Sequence, residues 1–391
     1  MNKLIDRITG LFKPVSLLTP GIYHYQSPPK DELQYRLHLR VSEDGTGLLI
    51  INASTILHLN QTATEFAYHH IQGTSLVDTA RIIASRYQIT RDQAQRDYYH
   101  LRQNIQTLVE TPDLDPISVL DISRQDPYSG AVSVPYRLDC ALTYQLPEKS
   151  NPDLAPVKRV DRELNTEEWF SIIDRAWEIG IPHMIFTGGE PTLRDDLIPI
   201  IKKAEDNGQV TGLLSDGYKL IESDFREALL DSGLDHLLFA LSPKDKDSWI
   251  ALQAILNEDL FTTVHITINP QTLPILPQTI DQCQKYGANG ISLSISDPAD
   301  PALMEGLKQG RSMVAEVDLP LKWDLPVPYS AHNPISMEIE VDQNVVQGAG
   351  KAWFYIEPDG DVLPSQGINE VLGNMISLDW RKIWAKREEA Q

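Results

Sequence analysis

Phe186-Thr187-Gly188-Gly189-Glu190-Pro191 stands between two apolar stretches of different period. Before it, His183–Thr187 has the short apolar run of a buried strand. After it, residues 194–207 follow the three- and four-residue spacing of a helix. The paired glycines let a ligand approach exposed backbone amides, Glu190 offers an acceptor for an ammonium group, and Pro191 fixes the turn. In parallel α/β folds the carboxyl ends of the strands form the rim where ligands bind. A Gly-Gly pair also suits a purely structural turn, but the strand-to-helix context favours binding.

The same alternation extends to both sides. Strands are expected at Tyr136–Thr143, Val210–Leu214, His236–Ser242, Thr263–Asn269 and Gly290–Ser294, and helices at 166–179, 222–232, 246–257, 275–286 and 301–316. Asn165 and Glu168 form a capping-box signal for the first of these helices. With the quoted stretch this makes six consecutive βα units, which predict a parallel sheet, either open and doubly wound or closed into part of a barrel. Ser215-Asp216-Gly217 ends the third strand, where its polar groups could face a bound ribose or simply make a turn.

Residues 18–110 read differently. Tyr35–Val41, Leu48–Ile51 and Ile56–Leu59 are short strand signals, with Asp44-Gly45 as a turn between the first two. Asn60 can cap a helix over Ala63–Ile71, and further helices are expected at Leu76–Tyr87 and 91–109. A small winged-helix-like α+β domain results. Residues 111–130, rich in Asp, Pro and Ser, read as a linker to the 131–316 core. Past 317, Ala352–Gly367 places two apolar runs around Pro358-Asp359-Gly360, a hairpin signal, before a helix carrying Trp380, Ile383 and Trp384. This is a β-hairpin-plus-helix extension, 317–391.

At 391 residues, two or three domains are expected, and 41% apolar with 23% charged residues is ordinary for a soluble globular chain. The net charge of −21 is uneven: residues 1–110 hold 11 basic and 10 acidic side chains, leaving 23 basic and 45 acidic beyond them. So acidic a bulk argues against nucleic acid and anionic lipid as partners. No run is long and apolar enough to span a bilayer and the start does not read as a signal peptide, so a cytoplasmic protein is expected. Cys140 and Cys283 are the only cysteines, far apart and in no metal-ligand spacing, so each reads as a small buried residue. The adjacent His69 and His70 diverge on a helix and make a poor metal pair, and His183, His236 and His265 read as satisfied core residues. No metal site is expected.

The stretch from Leu138 to Leu220, with LDCALTY, IFTGGEPTLRDDL and VTGLLSDG, resembles the core of a radical S-adenosylmethionine (SAM) enzyme of the kind that modifies ribosomally made peptides. The resemblance implies a partial (β/α)6 TIM-like barrel, with Gly188, Gly189 and Glu190 holding the amino group of SAM and Pro191, Ser215 and Asp216 beside them in the cofactor site. It also implies a 4Fe-4S cluster on three cysteines after the first strand. Aligned on Ala141–Tyr144, those positions fall at Leu146, Ser150 and Asp153, none of which supplies sulfur. No 4Fe-4S cluster is therefore expected. The 352–367 hairpin resembles the SPASM/twitch-type extension of the same enzymes, with Ser365 where a cysteine often stands, and is expected to persist as a lid. YRLHLRV and GLLIINASTILHLNQTATEFAYHHIQGTS resemble a PqqD-like peptide-recognition domain, which implies that a precursor leader peptide adds as a strand beside Ile56, Leu57, His58 and Leu59, with the third helix as the other wall.

The leading expectation is a cluster-less relative of these peptide maturases that binds a precursor peptide, retains a SAM site, and serves as scaffold or partner to an active modifying enzyme. Two rivals stay open. One is an active enzyme, either with unrecognised cluster ligands or using Glu190 and Asp216 for unrelated acid-base chemistry. The other is a small-molecule sensor built on the barrel.

Overall fold

The computed structural model describes residues 17–28, 33–53, 55–87, 89–111, 134–147, 155–297, 299–322, 325–327, 348–368 and 370–390. They fall into two units, 1–129 and 130–391, each with its own core. The linker expected at 111–130 lies, beyond Thr111, outside the described residues.

The first unit is an antiparallel sheet of β1 (Gly21–Gln26), β2 (Arg36–Val41), β3 (Gly47–Ile51) and β4 (Thr55–Leu59), in that spatial order. Helices α1 (Gln61–Ile71), α2 (Leu76–Tyr87) and α3 (Arg91–Glu110) follow. Strand β1 is a fourth strand where three were expected. Its Tyr-rich alternation suits a strand, but nine residues that include Pro28 and Pro29 separate it from β2, so no hairpin turn announces the pairing. Alternate residues Leu37, Leu39, Leu49, Ile51, Leu57 and Leu59 face one way and pack with Ala67, Ile71, Ile105 and Leu108 of the helices. Asn60 caps α1 as expected, its Oδ1 accepting from Ala63 N–H at 2.9 Å.

The second unit carries six parallel strands: β5 (Arg137–Thr143), β6 (His183–Gly188), β7 (Val210–Ser215), β8 (His236–Leu241), β9 (Phe261–Ile268) and β10 (Gly290–Ile295). They alternate with α4 (Thr166–Glu178), α5 (Leu197–Asn207), α6 (Ser223–Asp231), α7 (Lys246–Leu256), α8 (Leu276–Lys285) and α9 (Pro301–Glu316). One side of the strands, including Cys140, Phe186, Leu213, Phe239, Ile266 and Leu293, packs on the helices. The opposite side carries polar groups that satisfy one another. Arg137 pairs with Asp139 at 2.7 Å, His183 Nε2 meets His236 Nε2 at 2.8 Å, and His265 bonds Ser292 and Ser294 at 3.1 and 2.9 Å. The three histidines are hydrogen-bonded inside the fold, in line with the satisfied-core reading. Asn165 and Glu168 complete a reciprocal capping box on α4.

The C-terminal hairpin consists of β11 (Trp353–Ile356) and β12 (Asp361–Leu363), followed by β13 (Gly373–Asn374) and α10 (Trp380–Ala390). It is not a lid. Strand β11 pairs in parallel with β5, so the order runs β10-β9-β8-β7-β6-β5-β11-β12-β13 and β5 is an interior strand. That placement explains why all seven β5 residues are buried. No described helix is long and apolar enough to cross a membrane.

Candidate functional site

Strand β6 ends where the chain must pass close to the end of β5. A Cβ on Gly188 would lie 2.1 Å from the Thr143 carbonyl oxygen, and one on Gly189 would lie 2.0 Å from that of Gln145; Gly188 also has φ +131°. Only glycine fits either place. The approach lets Gly189 N–H donate to Thr143 O at 2.7 Å and Glu190 N–H to Gln145 O at 2.8 Å. These two amides, expected to be open to a ligand, are instead consumed in prolonging the β5–β6 ladder. The glycines shape the rim by this close approach.

Pro191 begins a single 3-10 turn over Pro191–Leu193, which folds Thr192 back onto Glu190. Glu190 Oε1 accepts from Thr192 N–H at 2.9 Å, from its hydroxyl at 2.5 Å and from Ser215 Oγ at 2.8 Å, while Oε2 accepts from Asp216 N–H at 2.8 Å. Glu190 is 2% exposed. The tip of β7 is bent into this position by Gly217, with φ +76° and the Phe239 ring where a Cβ would stand. Thus Gly188, Gly189, Glu190, Pro191, Ser215 and Asp216 come together in one place. Thr192 joins them unforeseen; an acceptor two residues before a threonine, with proline between, is the local turn signal that marked it.

The electrostatics are unbalanced. Neither Glu190 nor Asp216 makes an ion pair with a described residue. Burial first, and then the adjacent Glu190 charge, push the Asp216 carboxyl up to about 8. Lys219 is near but turned away, its ammonium on the Thr192 carbonyl at 2.9 Å and over the Phe225 ring. Among the described residues, no cation offsets the buried Glu190 carboxylate.

The described residues after β5, from Tyr144 to Leu164, include no cysteine. Leu146 and Val160 pack against Ala141, Tyr144, Ala155, Tyr355 and Leu363, an apolar cluster shared with the hairpin. Glu357, at the hairpin turn, accepts from Tyr144 Oη at 2.8 Å and from Arg159 Nη2 at 2.9 Å, tying both ends of the loop to the hairpin. Ser150 and Asp153 lie outside the described residues. Cys140 faces the helices, fully buried, and burial with Asp139 nearby raises its thiol well above the ordinary range; Cys283 on α8 is pushed by burial up to about 12. Both cysteines are packed within the apolar core. The donors present do not fit a 4Fe-4S cluster. Glu357, Asp359 and Asp361 bring carboxylate oxygens within 4.8 Å of one another, but Glu357 is held as described and Asp361 accepts from Asn374 at 2.9 Å.

In the first unit, Ile56, Leu57, His58 and Leu59 lie on β4, the terminal strand of its sheet. Leu57 and Leu59 point into the core, which leaves Ile56 and His58 on the other face. A cleft of about 320 Å³ that the sequence did not announce lies near the start of β2, walled by Tyr35, His70 and, on α3, Tyr99, Arg102 and Gln106.

No family model matches the chain. It is 26% identical over 253 residues to the PqqA peptide cyclase of Granulibacter bethesdensis, covering 59% of this chain and 66% of that protein. Identity to the PqqA peptide cyclase of Rhodopseudomonas palustris is 26% over 280 residues, 63% of this chain and 72% of that one. The Bradyrhizobium diazoefficiens PqqA peptide cyclase is again 26% identical, with 65% of its length covered, so the chain spans about two thirds of these relatives. Among solved structures, Streptococcus suis SuiB bound to S-adenosylmethionine superposes with a TM-score of 0.59 at 16% identity, covering 88% of this chain and 87% of SuiB. SuiB bound to its precursor peptide SuiA gives 0.57 at 15% identity, with 88% of each chain covered. The solved structures show a shared fold, and the sequence similarity is to PqqA peptide cyclases.

Proposed function

We propose that the chain is a cluster-less radical SAM relative that holds a precursor peptide through its first unit and SAM through the Glu190 rim, acting as scaffold or partner to an active modifying enzyme. The observation that carries the SAM site is the buried Glu190 carboxylate, bonded by four donors yet without a cation partner among the described residues. An ammonium group beside Oε2 would supply that charge, as the methionine end of SAM can. Thr192 and Ser215 hold the carboxylate in place, so the site is set before the ligand arrives. In the resembled family the cluster supplies the electron that cleaves SAM. Here Leu146, the one described position of the three, packs into an apolar cluster, and the two cysteines of the sequence stand elsewhere, so SAM would be bound rather than split. That SuiB superposes in a peptide-bound form supports the peptide role, and β4, as a terminal strand, is where an extended segment adds by backbone hydrogen bonds. The cleft beside α3 offers a place for one of its side chains.

The test is iron and sulfide content after anaerobic reconstitution, run beside equilibrium dialysis of SAM with the wild type and Glu190→Gln. A colourless, iron-free protein that retains SAM, with binding at least tenfold weaker in the variant, is expected. About four irons per chain with broad charge-transfer absorption would restore the enzyme reading. Absence of SAM binding at millimolar ligand removes the rim as its site.

A further inference from the structure

The Glu190 site is only as well placed as the two strand ends that carry it. Strand β6 is tied to β5 where Gly189 N–H meets Thr143 O at 2.7 Å and Glu190 N–H meets Gln145 O at 2.8 Å. Both acceptors stand where β5 gives way to the loop that leads to α4, so they need an anchor of their own. Arg194 supplies it. The 3-10 turn that begins at Pro191 ends on this residue, whose N–H donates to Pro191 O at 3.0 Å, so its side chain leaves from the same turn as Glu190. The Arg194 side chain is 13% exposed, and its guanidinium makes four hydrogen bonds: Nη1 donates to Leu142 O at 3.0 Å, Nη2 to Leu164 O at 3.1 Å, and Nε and Nη2 pair with Asp196 at 2.8 and 2.7 Å. Leu142 precedes the loop and Leu164 follows it. Beside them Glu163 Oε1 accepts from the Thr143 hydroxyl at 2.7 Å and from Tyr144 N–H at 3.0 Å, while its Oε2 lies 4.0 Å from Arg194 Nη1. Asp196 also accepts from the Thr166 hydroxyl, in the first turn of α4, at 2.7 Å. One side chain from the rim thus gathers both ends of the loop and the start of α4. The planar guanidinium fork reaches several acceptors at once, which the single nitrogen of a lysine does not.

We propose that Arg194 is a positioning residue of the Glu190 site, acting through the base of the loop between β5 and α4. It fixes the chain that carries the Thr143 and Gln145 carbonyls, these carbonyls fix the Gly189 and Glu190 amides, and the carboxylate is thereby held where a ligand ammonium meets it. The inference rests on the Glu190 reading above and adds to it the residue that holds the site in register. Arg194 touches no ligand, so its whole effect on binding passes through the backbone of the rim. A binding constellation keeps its affinity only while its supporting hydrogen bonds hold it to within about 0.5 Å. The rim and the base of the loop are therefore one unit, and a change at either is felt at the other.

Equilibrium dialysis of SAM against the full chain, run as a double-mutant cycle between Arg194 and Glu190, tests this. Arg194→Met should weaken SAM binding about tenfold in the wild-type background, and less than about twofold when Glu190→Gln is already present, because both substitutions act on one contact. Equal weakening in the two backgrounds is what a general loosening of the fold would give, and it overturns the proposal, as does no weakening at all. Arg194→Lys keeps the charge and loses the fork, so it should bind SAM nearly as weakly as the Met variant; wild-type affinity in Arg194→Lys overturns the geometric role. Urea unfolding of each variant shows that it is folded under the dialysis conditions, and if the Met variant is not, the Lys variant takes its place in the cycle. Wild-type SAM binding with an additive cycle removes the role of Arg194 and leaves the Glu190 site intact. Failure of the wild type to bind SAM removes both.

Discussion

Substituting Glu357 tests whether the hairpin holds the loop after β5. Its carboxylate is buried and is shared by a buried tyrosine hydroxyl and by Arg159, whose side chain is 24% exposed. Burial outweighs these two donors and raises the Glu357 pKa. The charged pair is therefore costly to form, even though breaking it on one side is costly too. Glu357→Ala removes the carboxylate that accepts from both Arg159 Nη2 and Tyr144 Oη. Removing one partner of a buried pair typically costs about 3–5 kcal/mol, reduced here to roughly 2–3 because Arg159 can rehydrate, with about 1 more for the tyrosine hydroxyl. Glu357→Gln keeps an acceptor and removes the charge, so it should cost about half as much. The pH dependence has a definite sign. A carboxyl with a raised pKa in the fold stabilises fully below its unfolded pKa, and that contribution is lost as pH rises through the folded value. The Gln variant should thus be relatively better tolerated at pH 8 than at pH 5. Urea unfolding followed by tryptophan fluorescence, in a double-mutant cycle with Arg159→Met, gives the coupling directly. A coupling below about 0.5 kcal/mol would show that the pair is ornamental and that the loop is held by the apolar cluster alone.

Two further outcomes follow from the rim. Asp216 loses its stabilising protonation as pH rises from 3.8 toward about 8, so wild-type stability should fall by roughly 2–5 kcal/mol over that window and Asp216→Asn should flatten the curve, as read by melting temperature against pH. Gly189→Ala forces a methyl into the Gln145 carbonyl and should cost more than about 3 kcal/mol. Gly73→Ala, at φ +66° but with nothing within 4 Å, should cost only about 1 kcal/mol. Equal unfolding midpoints for the two glycine variants would contradict the close-approach reading.

Much of the fold could be read from local pattern. The βα alternation and the Asn165 capping box are local signals, and the six parallel strands appear where the periodicity puts them. The pairing of Trp353–Ile356 with Arg137–Cys140 was not readable, because parallel partners more than two hundred residues apart carry no turn between them. At the site, the resemblance grouped Gly188, Gly189, Glu190, Ser215 and Asp216, and the structure brings the ends of β6 and β7 together around Glu190. What each group does there was hidden: whether a glycine amide is free depends on how near the next strand comes, and the Gln145 carbonyl cannot be placed from sequence. The fully buried Cys140 is similar. Its inward or outward direction follows from strand parity, but only once the packed face is known.

The position of β11 also bears on how the chain is made. During synthesis β5 emerges early, and its first neighbour, β6, follows within about fifty residues, whereas its second neighbour arrives only near residue 356. Until then one edge of a strand that ends up wholly buried is bare, an open template for another nascent chain. Long-range parallel pairing is also slow to form. Ribosome-bound chains shorter than about 360 residues should therefore be aggregation-prone and protease-sensitive at the barrel, and the arrival of the last strand is the step that commits the second unit to its fold.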